Sequence, residues 1–401
     1  MLEIEQQLKE IKKGVLEIIE EEELKQKLQN SLKTNTPLKI KLGVDPSVPD
    51  IHLGHTVPIR KLKQFQNLGH EVIFIIGDFT GRIGDPSGKS STRKLLTQEQ
   101  VIKNAQTYKE QIFQILDESK TQLLLNSQWY NKMNFAEIIK LSSAITLAKI
   151  LEHGTFRKRY EQNKDISLIE FMYPLIQAYD SVQVKADVEI GGSDQRFNLL
   201  IGRIIQKHYG QVPQIAITLP LLEGIDGKEK MSKSLGNYIG INESSKEIFG
   251  KTMSIPDDLM FKYYKLLTTF SSDEIENFEK KMKNNILHPM IIKKKLAYEI
   301  VKIYHNETEA KKSYEEFEKI FSQKKIPDEI PEIEIKDEKL GIIKLLIISG
   351  LVNSNSEARR LIEQKAVDVD KINITNINEE ILIKNDMILK VGKRKFVRIK
   401  K

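Results

Sequence analysis

The run Val72-Ile73-Phe74-Ile75-Ile76-Gly77 constrains this chain more than any other stretch. It offers no polar face to water, so as a strand it must be covered on both sides, which is the situation of a parallel sheet with helices on both faces. The surroundings agree. Lys39 to Val44 alternates as a strand does, and Gln122 to Leu125, Asp187 to Ile190 and Gln214 to Thr218 are further short strands. Between them lie helical patterns: Thr56 to Leu68, about Thr97 to Leu116, Phe135 to Ile150, Ser167 to Val184, and a last one ending at His208. Strands alternating with helices predict an α/β fold with a doubly wound parallel sheet, whose ligand lies beyond the carboxyl ends of the strands. The first thirty or so residues read as one helix that exposes Glu and Lys and ends near Asn35-Thr36-Pro37.

The remainder differs in texture. From about Glu243 to Gln323 the pattern is wholly helical, with Lys-rich faces at Lys280 to Lys283 and Lys293 to Lys295 that water or an RNA could cover. Lys324 to Lys336, with Pro327 and Pro331 among acids, reads as an extended linker. The last 64 residues read as a small α+β module, with one helix ending over Leu345 to Gly350, a second at Ser356 to Ile362, and three short closing strands. Charge follows the same division. Glu338 to Lys401 holds 14 Lys and Arg against 8 Asp and Glu, so +6 of the total +7 lies there. The final nine residues, including Lys393, Arg394 and Lys395, alternate cationic and apolar positions as an edge strand would, which suits a nucleic-acid backbone.

Composition excludes several chemistries. The chain has no cysteine, hence no disulfide and no thiolate. Its seven histidines show no metal-ligand spacing beyond His52 and His55, and no carboxylate follows them as in H-E-x-x-H, so no metal site is expected. No apolar run reaches eighteen residues and the first 29 are charged, which points away from membranes and toward the cytoplasm.

His52-Leu53-Gly54-His55 stands at the junction between the strand ending at Val44 and a helix. Unpaired N–H groups at a helix start attract anions, imidazoles add donors, and a glycine lets a flat group approach the backbone. A pair of histidines that merely caps the helix is the bland alternative. Further along, Tyr173, Gln177 and Asp180 fall on one face of a helix otherwise apolar, the pattern of a pocket wall or of a buried polar network. Gly191-Gly192-Ser193-Asp194-Gln195 ends a strand with two glycines, an acid and an amide. Lys230-Met231-Ser232-Lys233-Ser234 lies in a glycine-bearing loop, Gly224 to Gly236.

His-Leu-Gly-His followed by Lys-Met-Ser-Lys-Ser resembles the two signatures of class I aminoacyl-tRNA synthetases. The fuller text, Gly43-Val44-Asp45-Pro46, Ile83 to Lys89, Tyr173 to Asp180 and Gly191 to Gln195, is similar to that of the bacterial tyrosyl-tRNA synthetases, in their second subgroup. The resemblance covers essentially the whole chain. It implies a Rossmann-like catalytic domain over 1–240 with its N-terminal helix, an anticodon-side helical domain over 241–323, a linker over 324–337, and an RNA-binding domain over 338–401. It also implies ATP as substrate with Mg2+ on its phosphates, no tightly bound cofactor, tRNA and L-tyrosine as partners, and a homodimer.

Carried over residue by residue, His52, His55, Lys230 and Lys233 would be catalytic. Gly54, Gly192 and Asp194 would hold adenine and ribose, Ser47, Met231, Ser232 and Ser234 would complete the ATP site, and Lys89 and Arg93 would lie beside the phosphates or the RNA end. Asp85, Tyr173 and Gln177 would bind the tyrosine ammonium, Asp180 would meet its phenol, Gln195 would lie near its carboxylate and Asp45 would belong to the same tyrosine site, while Arg359, Arg360 and the basic tail would meet RNA. Two positions depart from the commoner subgroup. Lys41 stands where a tyrosine often helps to read the phenol, and Pro58 where a small residue often sits. The lysine is expected to point to solvent or to a carboxylate. A tryptophanyl enzyme would share fold and signatures, but Asp180 and the C-terminal module speak against it. A small-molecule nucleotidyltransferase has no use for that module, and the intact signatures speak against a non-catalytic RNA chaperone.

Overall fold

The computed structural model describes residues 3–46, 50–86, 97–321, 330–335, 337–370, 372–392 and 395–401. Two compact units are present, Met1–Ala310 and Lys311–Lys401. The first is built on a six-stranded sheet: β1 (Glu17–Ile19), β2 (Lys39–Val44), β3 (Glu71–Ile76), β4 (Thr121–Leu125), β5 (Val188–Gly192) and β6 (Ile215–Leu219). Their order is β1-β6-β5-β2-β3-β4. All neighbours run parallel except β1, which pairs antiparallel with β6 at the edge. From Val72 to Ile76 the apolar strand β3 is buried without interruption. That confirms the two-sided cover its composition demands.

The order reverses between β2 and β5. From β2 the chain winds outward through β3 and β4, then returns to lay β5 and β6 on the other side, leaving a crevice between the carboxyl ends of β2 and β5. Two helices frame it. The histidine helix Leu53–Asn67 starts at the end of β2 and runs on through Pro58. The pocket helix Leu168–Val184 is entered by a capping box in which Ser167 N–H donates to Glu170 Oε1 at 3.0 Å, and it buries Tyr173 and Asp180.

Some expected elements are divided. The N-terminal helix is two, Ile4–Lys12 and Glu21–Thr34, because Gly14 takes φ 66° and turns the chain into β1. The helix over Phe135 to Ile150 breaks into Phe135–Ser142 and Leu147–Ile150, the second capped by Thr146, whose hydroxyl accepts from the N–H of Lys149. Beyond the sheet, five helices from Ser245–Ser254 to Glu307–Phe321 match the helical reading. Tyr304 from this region donates to Thr56 on the histidine helix at 2.9 Å.

The second unit contains β7 (Glu332–Glu334), β8 (Lys339–Gly341), β9 (Val367–Val369), β10 (Ile372–Asn373), β11 (Glu380–Leu382), β12 (Met387–Val391) and β13 (Lys395–Lys400), with helices Ile342–Ile348 and Asn355–Glu363. One sheet has the order β10-β9-β12-β13-β7, and β11 pairs with β8. More strands close the chain than the three expected, and two expectations fail in particular. Glu332–Glu334 falls in the stretch that reads as a linker from its prolines and acids, yet it pairs parallel with β13, and Ile335 beside it is buried. The terminal strand β13 is not an edge, since β12 and β7 flank it. Its alternation reflects an inner face packed on the core through Val397 and Ile399, not a bare edge.

Candidate active site

The crevice opens into a cavity of about 480 Å³. Every proposed catalytic, ATP or tyrosine residue that lies among the described ones lines it: Asp45, His52, Gly54, His55, Asp85, Tyr173, Gln177, Asp180, Gly192, Asp194, Gln195, and Lys230 through Ser234. Ser47, Lys89, Arg93, Lys393 and Arg394 fall outside the described residues. Lys41 does not line the cavity.

Backbone pairing joins the two signatures. His52 bridges Gly240 antiparallel, Leu53 N–H donates to Ile239 O at 2.9 Å, and Ile241 N–H donates to Ile51 O at 3.1 Å. The segment that leaves the lysine loop is thereby stapled to the start of the histidine helix. At that start the two imidazoles stack, ring centres 3.7 Å apart, and His52 N–H donates to His55 Nδ1 at 3.3 Å. A side chain at position 54 would press on the His52 ring at 3.1 Å, so the stack needs the glycine. Burial and the neighbouring cations of the loop lower both histidines, His52 to about 2 and His55 to about 4. Both are neutral at physiological pH and offer ring N–H groups rather than charge.

The cations come from the loop. Met231 anchors it, buried, with its N–H on Leu222 O at 2.8 Å, and Asn237 Oδ1 accepts from Ser232 N–H at 2.8 Å. Lys230 and Lys233 are held at the cavity by carboxylates, Lys230 by Asp194 at 3.3 Å and Lys233 by Asp50 at 2.8 Å. Gly192 is constrained as well, because a Cβ there would lie 2.7 Å from Asp194 Oδ1 and 3.0 Å from Leu221.

Asp180 is buried and accepts from Tyr130 OH at 2.7 Å, Trp129 Nε1 at 2.9 Å and Asn126 Nδ2 at 3.3 Å. Burial pushes its carboxyl up to about 6, against the opposing charge of Lys41 and the three donors. Near the mouth of β2, Asp45 accepts from Tyr173 OH at 2.8 Å and Thr80 Oγ1 at 2.6 Å. Asp85 accepts from Gln195 Nε2 at 2.5 Å. The partners Thr80, Asn126, Trp129 and Tyr130 belong to no motif that the sequence displays. Three of them follow the carboxyl end of β4, and since every strand of a parallel sheet ends on the ligand side, that position was the signal available.

Lys41 is the departure with a clear outcome. It is fully buried, and its ammonium lies 2.8 Å from Glu189 Oε1, 2.8 Å from Ser181 Oγ and 3.0 Å from Gln177 O. The carboxylate alternative holds and the solvent alternative does not, because Lys41 faces the underside of the pocket helix rather than the end of its strand. In the second unit Arg359 and Arg360 are exposed on Asn355–Glu363, whereas Lys395 Nζ donates to Leu351 O at 2.9 Å.

A doubly wound sheet that brings these two signatures onto one crevice defines a class I aminoacyl-tRNA synthetase. The family model described as tRNA synthetases class I (W and Y) matches residues 33–322, and the Tyrosine--tRNA ligase SYY-like C-terminal domain matches residues 322–399. A tyrosine–tRNA ligase of Moorella thermoacetica is 51% identical over 99% of this chain and 96% of its own length. That of Carboxydothermus hydrogenoformans is 53% identical over 99% and 98%. A C-terminally truncated mitochondrial tyrosyl-tRNA synthetase of Aspergillus nidulans shares the fold, with a TM-score of 0.66 at 23% identity over 80% of this chain and 95% of its own. The chain belongs to the tyrosine–tRNA ligases.

Proposed function

We propose a division of labour for this tyrosine–tRNA ligase within the cavity at the crevice. The enzyme joins tyrosine to its tRNA at the expense of ATP, in two steps. First a carboxylate oxygen of tyrosine bonds to the α-phosphorus of ATP, the bond to the β-phosphate oxygen breaks, and pyrophosphate leaves. Then a hydroxyl of the terminal tRNA ribose attacks the carbonyl of tyrosyl-adenylate and AMP departs. The nucleophile of the first step is already an anion, so no protein base is needed. Rate must come from alignment and from charge placed on the leaving group. His52 and His55 supply neutral donors from the helix start, and Lys230 and Lys233 supply positive charge from the loop. Magnesium arrives on the ATP phosphates as part of the substrate.

Tyrosine enters with its phenol toward Asp180 and its ammonium toward Asp85, Tyr173 and Gln177. Adenine and ribose lie along Gly54, Gly192 and Asp194. The observation that carries this reading is Asp180 itself, a buried carboxylate with three donors on a cavity whose other walls hold the stacked histidines and both lysines. Amino-acid-dependent pyrophosphate exchange tests it. Tyrosine should support exchange, with tryptophan and phenylalanine far behind, and equal exchange with tryptophan would overturn the assignment of Asp180.

The finer surroundings follow from the same reading. Residues 338–401, with exposed Arg359 and Arg360, bind the tRNA, and the reaction takes place in the cytoplasm, where that tRNA is charged. No described helix is long and apolar enough to cross a membrane. Two copies associate through the apolar surface that Phe135 (75% exposed) and Leu168 (82% exposed) leave open on helices that pack together. Sedimentation equilibrium should return twice the chain mass, and a strictly monomeric mass would reject the dimer.

A further inference from the structure

We propose that Lys41 and Glu189 form a positioning pair that sets the orientation of the Gln177 amide, so that its carbonyl oxygen is presented to the ammonium of the amino-acid substrate. Lys41 thus does not read the phenol. The inference rests on the assignment of Gln177 to the ammonium side.

Glu189 stands on β5 and is 1% exposed. Its Oε1 receives Lys41 Nζ at 2.8 Å and Gln177 Nε2 at 3.3 Å, and its Oε2 receives Ser181 Oγ at 3.2 Å and Gln214 Nε2. A carboxylate accepts hydrogen bonds and donates none. Whatever face Gln177 turns toward Glu189 must therefore be its NH2, which leaves its Oε1 on the opposite side. There it accepts from Asn198 Nδ2 at 3.0 Å. The same Nδ2 also donates to Gln195 Oε1 at 3.1 Å, and Gln195 Nε2 goes on to Asp85. One polarity thus runs through the whole chain of amides. A second lone pair remains on Gln177 Oε1 for a cation in the cavity that Gln177 lines.

Lys41 makes that polarity possible. A buried carboxylate without a counter-charge is strongly disfavoured and would take up a proton. A carboxylic acid could donate to Gln177 Oε1 and turn the amide round, presenting NH2 to an ammonium. Lys41 itself is excluded from the cavity and its three acceptors are all protein groups, so no direct contact with tyrosine is open to it.

Two analogues separate the ends of the substrate. Tyramine keeps phenol and ammonium, and 3-(4-hydroxyphenyl)propionate keeps phenol and carboxylate. In the neutral double variant Lys41→Gln/Glu189→Gln neither amide end is dictated. Tyramine binding by calorimetry should weaken about tenfold, the lower end of the range for one hydrogen bond to a charged group, because the undirected amide keeps part of its favourable orientation. The propionate should bind within about twofold of wild type. In pyrophosphate exchange the KM for tyrosine should rise with a much smaller fall in kcat, and the preference for tyrosine over phenylalanine should hold. Equal weakening of both analogues, no change in either, or a collapse of the phenylalanine discrimination would each overturn the proposal.

Gln177→Leu is the companion variant. If it leaves the ratio of the two analogues unchanged, the ammonium assignment fails and the pair loses its role with it. If it shifts the ratio while the double variant does not, the assignment stands and only the pair is refuted. Should the double variant not fold, the charge swap Lys41→Glu/Glu189→Lys keeps the ion pair but puts an ammonium beside Gln177. Tyramine binding should then fall at least as far, and wild-type affinity would overturn the proposal.

Discussion

At Asp180, burial and hydrogen bonding pull in opposite directions. Desolvation lifts the carboxyl to about 6, while Tyr130, Trp129, Asn126 and the charge of Lys41 hold it from rising further. A phenol O–H can donate to the anion, whereas phenylalanine would leave the buried group short of a donor. Asp180→Ala should therefore lower the preference for tyrosine over phenylalanine by about a hundredfold in kcat/KM, the scale of a lost hydrogen bond to a charged group. An unchanged preference would assign the phenol to another residue. The same carboxyl sets an acid limb. Below pH about 6 it gains a proton and becomes a weaker acceptor, so kcat/KM for tyrosine should fall as pH drops through that value and be flat above it. His52 and His55 cannot produce this limb, being neutral down to about 2 and 4. A limb that persists in Asp180→Asn would show that its origin lies elsewhere.

In the proposed division of labour, the lysine loop is the element whose state decides the first step. Its two cations are tied to Asp194 and Asp50, whose side chains are 28% and 50% exposed. Ion pairs so open to water are worth about 1 kcal/mol or less, so the phosphates of ATP can take both lysines over. The ties keep the cations at the mouth without fixing them. Lys233→Ala should slow adenylate formation by about a hundredfold or more, the usual effect of removing one group aimed at developing charge, with tyrosine affinity nearly unchanged. Stopped-flow measurement of adenylate formation beside equilibrium tyrosine binding checks this, and parallel losses in both would contradict it. What opposes loss of the loop's position is the backbone pairing of Leu53 with Ile239 and of Ile241 with Ile51, four residues that are all buried.

On the scale of the molecule, the described residues proposed for catalysis lie in the first unit and most of the excess positive charge in the second. The boundary for a clean cut follows from the strand pairing. Ending the chain near residue 336, where the composition changes, would leave β7 without β13 and remove its partner. A chain ending at Phe321 keeps Glu307–Phe321 whole. It should retain tyrosine-dependent pyrophosphate exchange and lose most tRNA charging, while the tRNA affinity of the full chain falls steeply with salt, because releasing phosphate counterions into a more concentrated solution gains less free energy. Undiminished charging by the shortened chain would remove RNA binding from the second unit.

Local pattern alone determined a good deal. The apolar run of β3 required a two-sided sheet, the alternation of strands and helices required double winding, and the glycine-bearing motifs at strand ends marked the crevice before any contact was visible. Periodicity and motif spacing are properties of neighbouring residues, and neighbouring residues suffice to state them. Three things were decided only by the tertiary structure. Gly14 divides a helix because β1 gains a partner in β6, some two hundred residues away. Glu332–Glu334 reads as a linker and becomes a strand because β13 lies beside it. Lys41 reads as a cation that seeks either solvent or a carboxylate, and it is buried because Glu189, on the next strand across the switch point, supplies the charge that makes burial tolerable. In each case the partner is distant in sequence, and the free energy that selects the conformation does not exist until the two meet.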